Sequence, residues 1–156
     1  MKTATRRLFA ACAIVLFALA AGSGGTEARS QPAVRKDGRT VIHLPAADRL
    51  QFRQGMRVYL ESIEGTIDGM TKHKMALVAK AAQKSGMGMV KDVSLETALG
   101  LPPEFVLMST DTHEKFDDLA KTARGGGATK LEIMEKLGTI LAACTSCHSA
   151  FRLTPH

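Results

Sequence analysis

In this 156-residue chain two cysteines stand three positions apart with a histidine directly after the second: Cys144-Thr145-Ser146-Cys147-His148. Three kinds of chemistry use such a pattern. A thiol pair can exchange with a disulfide, two thiolates can form half of a zinc site, and two thiols beside an imidazole can hold a haem.

The surrounding residues choose between them. Ile133, Leu137, Ile140, Cys144, Cys147 and Phe151 recur at steps of three and four, the apolar stripe of a helix. Both sulfurs therefore lie on one side of that helix, about one turn apart. His148 follows Cys144 by a turn, near the stripe's edge. This arrangement lets the thiols form thioethers with the two vinyl groups of one porphyrin while His148 serves as proximal iron ligand. A redox dithiol instead sits at a helix N-terminus after a strand, where the dipole lowers a thiol pKa. A structural zinc needs four Cys or His ligands, and no second pair has suitable spacing. One covalent haem c, held through Cys144 and Cys147, is the expected cofactor.

The elements that must carry this motif are helical. Residues 29–45 are polar with scattered proline and glycine and are expected to form an extended lead-in. A first helix is expected from about Ala46 to Ile63 or beyond, with Phe52, Met56, Tyr59, Ile63 and Met70 on one face. Gly65 and Gly69 are expected to separate it from a second helix, Met70 to Ser85. The second helix has a small-residue face of Ala76, Leu77, Val78, Ala81 and Ala82, and Gly86 stops it.

Pro103 suits the first turn of a third helix, whose stripe is Phe105, Met108, Thr112, Phe116, Leu119 and Ala123. Gly125-Gly126-Gly127 ends it. Thr129 and Glu132 have capping-box spacing at the start of a fourth helix, expected to reach about Leu153. No β-branched run is long enough to suggest a sheet. The expected fold is all-α, an antiparallel four-helix bundle over residues 46–156 with a covalently bound haem, an irregular helical domain being the alternative. Aromatic content is only 4 %, so the core is thin and a large apolar cofactor would add bulk.

The amino-terminal segment has another purpose. Lys2, Arg6 and Arg7 precede an apolar stretch from Leu8 to Gly22, as in a secretory signal over residues 1–28. Cleavage is expected after Ala20 or Ala28. The stretch is short for a membrane span, which needs roughly twenty residues. No stable membrane insertion is expected, and export implies a place outside the cytoplasm, the periplasm where the cell is Gram-negative. Cys12 leaves with the signal, so CTSC holds the only cysteines of the exported chain. Removing three basic residues and one acid lowers the formal charge from +6 to +4. That balance is spread along the sequence without a basic cluster, a poor nucleic-acid signature.

A helical domain ending in "CTSCHSAFR" resembles the class II c-type cytochromes, the cytochrome c′ group. Weaker likenesses are "FRQGMRVYL" in the first helix, "LPPEF" before the third and "HEKFD" within it. The resemblance covers about residues 46–153. It implies that a first-helix residue covers the haem face opposite His148. Met56 occupies about that position and lies on the apolar stripe, so it is expected to ligate the iron. The competing view is that Met56 only fills core space. His113, beside the third helix's stripe, is a rival ligand, although such a histidine more often packs or bonds to a backbone carbonyl. The resemblance also implies a basic residue near the haem edge. Arg152 stands there, either pairing with a propionate or merely exposed at the surface.

The sixth ligand separates two functions. With Met56 bound, the resemblance implies a periplasmic carrier of single electrons that serves unidentified redox partner proteins. Without it, the resemblance implies a five-coordinate cytochrome c′ that binds or buffers nitric oxide or carbon monoxide. No Ser/His/Asp set, paired-carboxylate constellation or nucleotide loop is discernible, so an enzyme is not expected. The resemblance further implies a homodimer paired through the first two helices.

Overall fold

A computed structural model describes residues 37–154. The expected signal, both candidate cleavage points, Cys12 and the lead-in before Asp37 lie outside the described residues.

The chain is mostly helical. Strand β1 (Thr40–Ile42) is followed by α1 (Ala46–Thr71), α2 (Met75–Gln83), a 3-10 segment (Met87–Asp92) and α3 (Leu95–Leu99). Then come α4 (Pro103–Arg124), α5 (Lys130–Ala150) and β2 (Phe151–Leu153). Helix α2 packs against α1 and α4, and α4 packs against α5.

Helix α1 does not break at Gly65 or Gly69 as expected. Both glycines sit where α2 leans on it. A Cβ at Gly65 would lie 2.8 Å from the Ala81 Cβ, and one at Gly69 would lie 2.8 Å from both Val78 Cγ2 and Val78 N. Absence of a side chain here permits close helix approach, which outweighs the glycines' low helix propensity. The chain turns instead at His73, with φ 56°. The N–H groups of Lys74 and His73 return to the carbonyls of Gly69 (2.9 Å) and Met70 (3.2 Å), a Schellman closure with histidine in the usual glycine position.

Helix α2 starts later and ends earlier than expected, and its inward face keeps Val78, Ala81 and Ala82 of the expected five and adds Ala79. Val78, Ala79, Ala81 and Ala82 are buried, whereas Ala76 and Leu77 are exposed. Consecutive residues 76–78 point around more than half of a helix, so they cannot share one face.

The later helices match their sequence signals. Pro103 opens α4, Gly125 closes it, and Phe105, Thr112, Phe116, Leu119 and Ala123 are buried along it. Thr129 caps α5, its Oγ1 accepting the Glu132 N–H at 3.1 Å. Helix α5 stops at Ala150, however. Phe151–Leu153 pair in parallel with Thr40–Ile42, joining Val41 to Arg152. A small sheet therefore exists where none was expected, because its two three-residue strands come from opposite ends of the domain and neither is long enough to show alone.

Two apolar clusters result. The larger joins Tyr59, Val78, Phe116, Leu119, Ile133 and Ile140. The smaller gathers Ile42, Leu44, Phe105 and Phe151 beside the β-pair, with Phe52, Met108 and Cys147 packed against it.

Candidate functional site

The second half of α5 passes from one cluster to the other. Ile133, Leu137 and Ile140 are buried, and Cys144 and Cys147 continue that stripe half-buried. Cys144 packs against the larger cluster and Cys147 against the smaller. Both thiols are unpaired. Burial raises the pKa of each above its ordinary value, so both are neutral near pH 7. A neutral, half-buried thiol is a poor exchange nucleophile. Among the described residues, no group of three His, Cys, Asp or Glu side chains is placed to hold a metal ion, whereas a structural zinc takes four such ligands.

Beside Cys147 lies a cleft of about 200 Å³. Helix α5 contributes Cys147 and the exposed His148, and α1 contributes Phe52 and Met56. Phe105 of α4 and Ile42, Phe151 and Leu153 of the strand pair complete an apolar lining, and Arg39 and Arg152 add charge. Met56, Cys147, His148 and Arg152 thus share one cleft, while Cys144 stands one helical turn back. Met56 is 39 % exposed, so its thioether is not used up in the core.

The lead-in contributes residues that sequence reading missed. Arg39 holds Asp37 through Nε (2.9 Å) and Nη2 (2.8 Å), and its Nη1 donates to the His148 carbonyl (3.3 Å). Arg152 Nε lies 3.3 Å from the same carboxylate, close enough for an ion pair but not aligned for a hydrogen bond. Hydrogen bonding from Arg39 holds the Asp37 carboxyl at about 2, and the same contact raises the Arg39 pKa. Only the Val41–Arg152 register brings these groups together, so local sequence gives no signal of it.

His113 is elsewhere. It is buried in the core, with Nδ1 2.8 Å from the Ser85 carbonyl and Nε2 2.7 Å from the Tyr59 hydroxyl. The consistent assignment has Nδ1–H donating to Ser85 and Nε2 accepting from Tyr59. Desolvation lowers its pKa below 6.5, keeping the ring neutral, and raises that of Tyr59. Both ring nitrogens are engaged, the packing role weighed for this residue above.

Comparison with protein-family models, with curated proteins and with solved structures yields no match.

Proposed function

We propose that this chain is a periplasmic c-type cytochrome that carries single electrons. Its helices would form an antiparallel four-helix bundle around one haem c, as in the class II cytochromes it resembles. The observation that carries this reading is the cleft shared by Met56 and His148, with Cys147 in its wall and Cys144 one turn away on the same stripe.

The donor set fits a haem. Two neutral thiols a turn apart are placed for two thioethers, an exposed imidazole for iron, and a second helix offers a soft sulfur. The space is tighter, since about 200 Å³ is below the roughly 300–1,000 Å³ of small-molecule sites. Seating a macrocycle therefore requires partly exposed side chains such as Met56 to move. A bound haem would supply one-electron chemistry at its iron.

The chain's own residues do the rest. Cys144 and Cys147 would anchor the haem, His148 would bind its iron from α5, and Met56 would bind from α1. Phe52, Phe105 and Phe151 exclude water, and Arg152 sits where it can neutralise an acidic group at the cleft's edge. The periplasmic assignment rests on the amino-terminal signal pattern. No helix among the described residues is long and apolar enough to cross a membrane. The test is the visible spectrum of exported protein in both oxidation states, with the mass of the denatured chain. Absorption typical of a thioether-linked haem and a mass raised by one haem support the reading, and the mass of bare polypeptide defeats it.

A further inference from the structure

The arginines of the described residues, unlike the lysines, gather at one end of the fold. The six arginines of the described residues are Arg39, Arg49, Arg53, Arg57, Arg124 and Arg152; Arg39 and Arg152 line the cleft, and Arg49, Arg53 and Arg57 stand on α1 within about a turn of its residues Phe52 and Met56. Residues 37–57 contain no lysine, and their two carboxylates are both engaged. Asp37 is bound by Arg39 and Arg152, and Asp48 accepts a hydrogen bond from the Thr97 hydroxyl at 2.8 Å.

Arg53 and Arg57 differ from the other arginines of this end. Both are exposed, and neither makes an ion pair among the described residues. They stand four positions apart on α1, so they are surface neighbours, and they flank Phe52 and Met56 of the cleft. Leu60, one turn beyond Met56, is 67 % exposed. An apolar centre with a cationic rim is the composition of a protein interface. Apart from Asp48, which Thr97 engages, the carboxylates of α1 follow only afterwards, at Glu61, Glu64 and Asp68.

We propose that the α1 surface carrying Arg53, Arg57 and Leu60 is the docking face for a redox protein with an acidic rim, which it holds over the cleft. This rests on the electron-carrier reading. The partner must exchange an electron, so it is a protein with its own redox centre, and charge complementarity would steer its approach. The step itself is one electron passing between the partner's reduced or oxidised centre and the iron, with no bond or proton exchanged.

The test uses haem-loaded protein whose mass has been checked. Oxidation of the ferrous form by anionic hexacyanoferrate(III) and by cationic tris(phenanthroline)cobalt(III) is followed at about 0.1 M ionic strength, where charges are screened beyond about 10 Å. Arg53→Glu/Arg57→Glu should slow the anionic oxidant about threefold or more and speed the cationic one. The control is Lys121→Glu/Lys130→Glu, with the same net change. Lys130 reaches His73 just past the end of α1 at 3.2 Å, and Arg57 lies about 21 Å back along that helix. The control should change either rate by less than about twofold.

Equal effects from the two double variants would overturn the docking face and leave the cytochrome intact. Binding of wild type, but not the Arg53/Arg57 variant, to phosphatidylglycerol–phosphatidylcholine vesicles, with unaltered oxidant rates, would assign the arginines to a membrane and overturn it too. A mass without haem removes the electron-carrier reading first, and this proposal with it.

Discussion

Met56 of α1 and His148 of α5 line the same cleft, although the contacts that hold the fold together run from α1 through α2 and α4 to α5. An iron between them would have nitrogen on one side and thioether sulfur on the other. Wild-type protein is therefore expected to be low-spin, and its ferrous form to resist carbon monoxide until the sulfur is displaced. Met56→Ala should be high-spin, bind carbon monoxide readily and have a lower reduction potential. Visible spectra, gas titration and potentiometry check this. Wild-type protein that is already high-spin and takes up gas at once would favour the gas-binding function. A low-spin wild type unchanged by Met56→Ala would point to another ligand.

Covalent attachment is checked separately. After denaturation and extraction with acidified acetone, the wild-type chain should keep its haem. Cys144→Ala or Cys147→Ala should weaken retention, and the double variant should yield little holoprotein. Equal retention by all three would sink the thioether assignment.

Close contact between α1 and α2 gives a prediction independent of any cofactor. Gly69→Ala places a methyl group 2.8 Å from the Val78 backbone nitrogen, which cannot rotate away. The expected loss is about 1–3 kcal/mol, read by denaturant unfolding. A loop position of the kind first expected for this glycine would tolerate alanine, so an unchanged midpoint contradicts the helix–helix contact.

His113 sets an acid limb of stability. Burial depresses its folded pKa, so the unfolded chain binds the proton more readily. The contribution is full above the unfolded value near 6.5 and is lost as pH falls through the lower folded value. His113→Gln should flatten that limb and cost about 1–3 kcal/mol at pH 7, because buried partners at Tyr59 and Ser85 lose their bonds. Unfolding free energy measured from pH 7 to 4.5 checks both effects. A wild-type slope that survives in the variant would place the titrating group elsewhere.

Much of the site was legible because it depends on local periodicity. The three-and-four spacing from Ile133 to Cys147 is one helix face whatever else the chain does, and Pro103, Thr129 and the glycines after Arg124 mark ends by their own backbone preferences. Gly65 and Gly69 misled because a glycine that permits close packing looks like one that breaks a helix until the partner is known. The turn at His73 was hidden for the opposite reason, since its left-handed conformation lacks the glycine that usually announces it. Arg39 and Asp37 could not be read at all. Their meaning depends on pairing with Arg152 across nearly the whole domain.

That pairing also has a consequence for the order of assembly. Strands β1 and β2 join the two ends of the described chain, and the loop-closure entropy of joining them exceeds that of any turn between successive helices. High-contact-order pairs form late, so α5 can be helical, with Cys144, Cys147 and His148 already in line, while Arg39 and Ile42 are still away from the cleft. If the proposed haem is attached in that interval, the cleft wall formed by Arg39 and Ile42 would still be open, and the strand seam would close afterwards. Pulse-labelled hydrogen exchange during refolding should show amides of residues 40–42 and 151–153 gaining protection after those of α4 and α5, and simultaneous protection would reject this order.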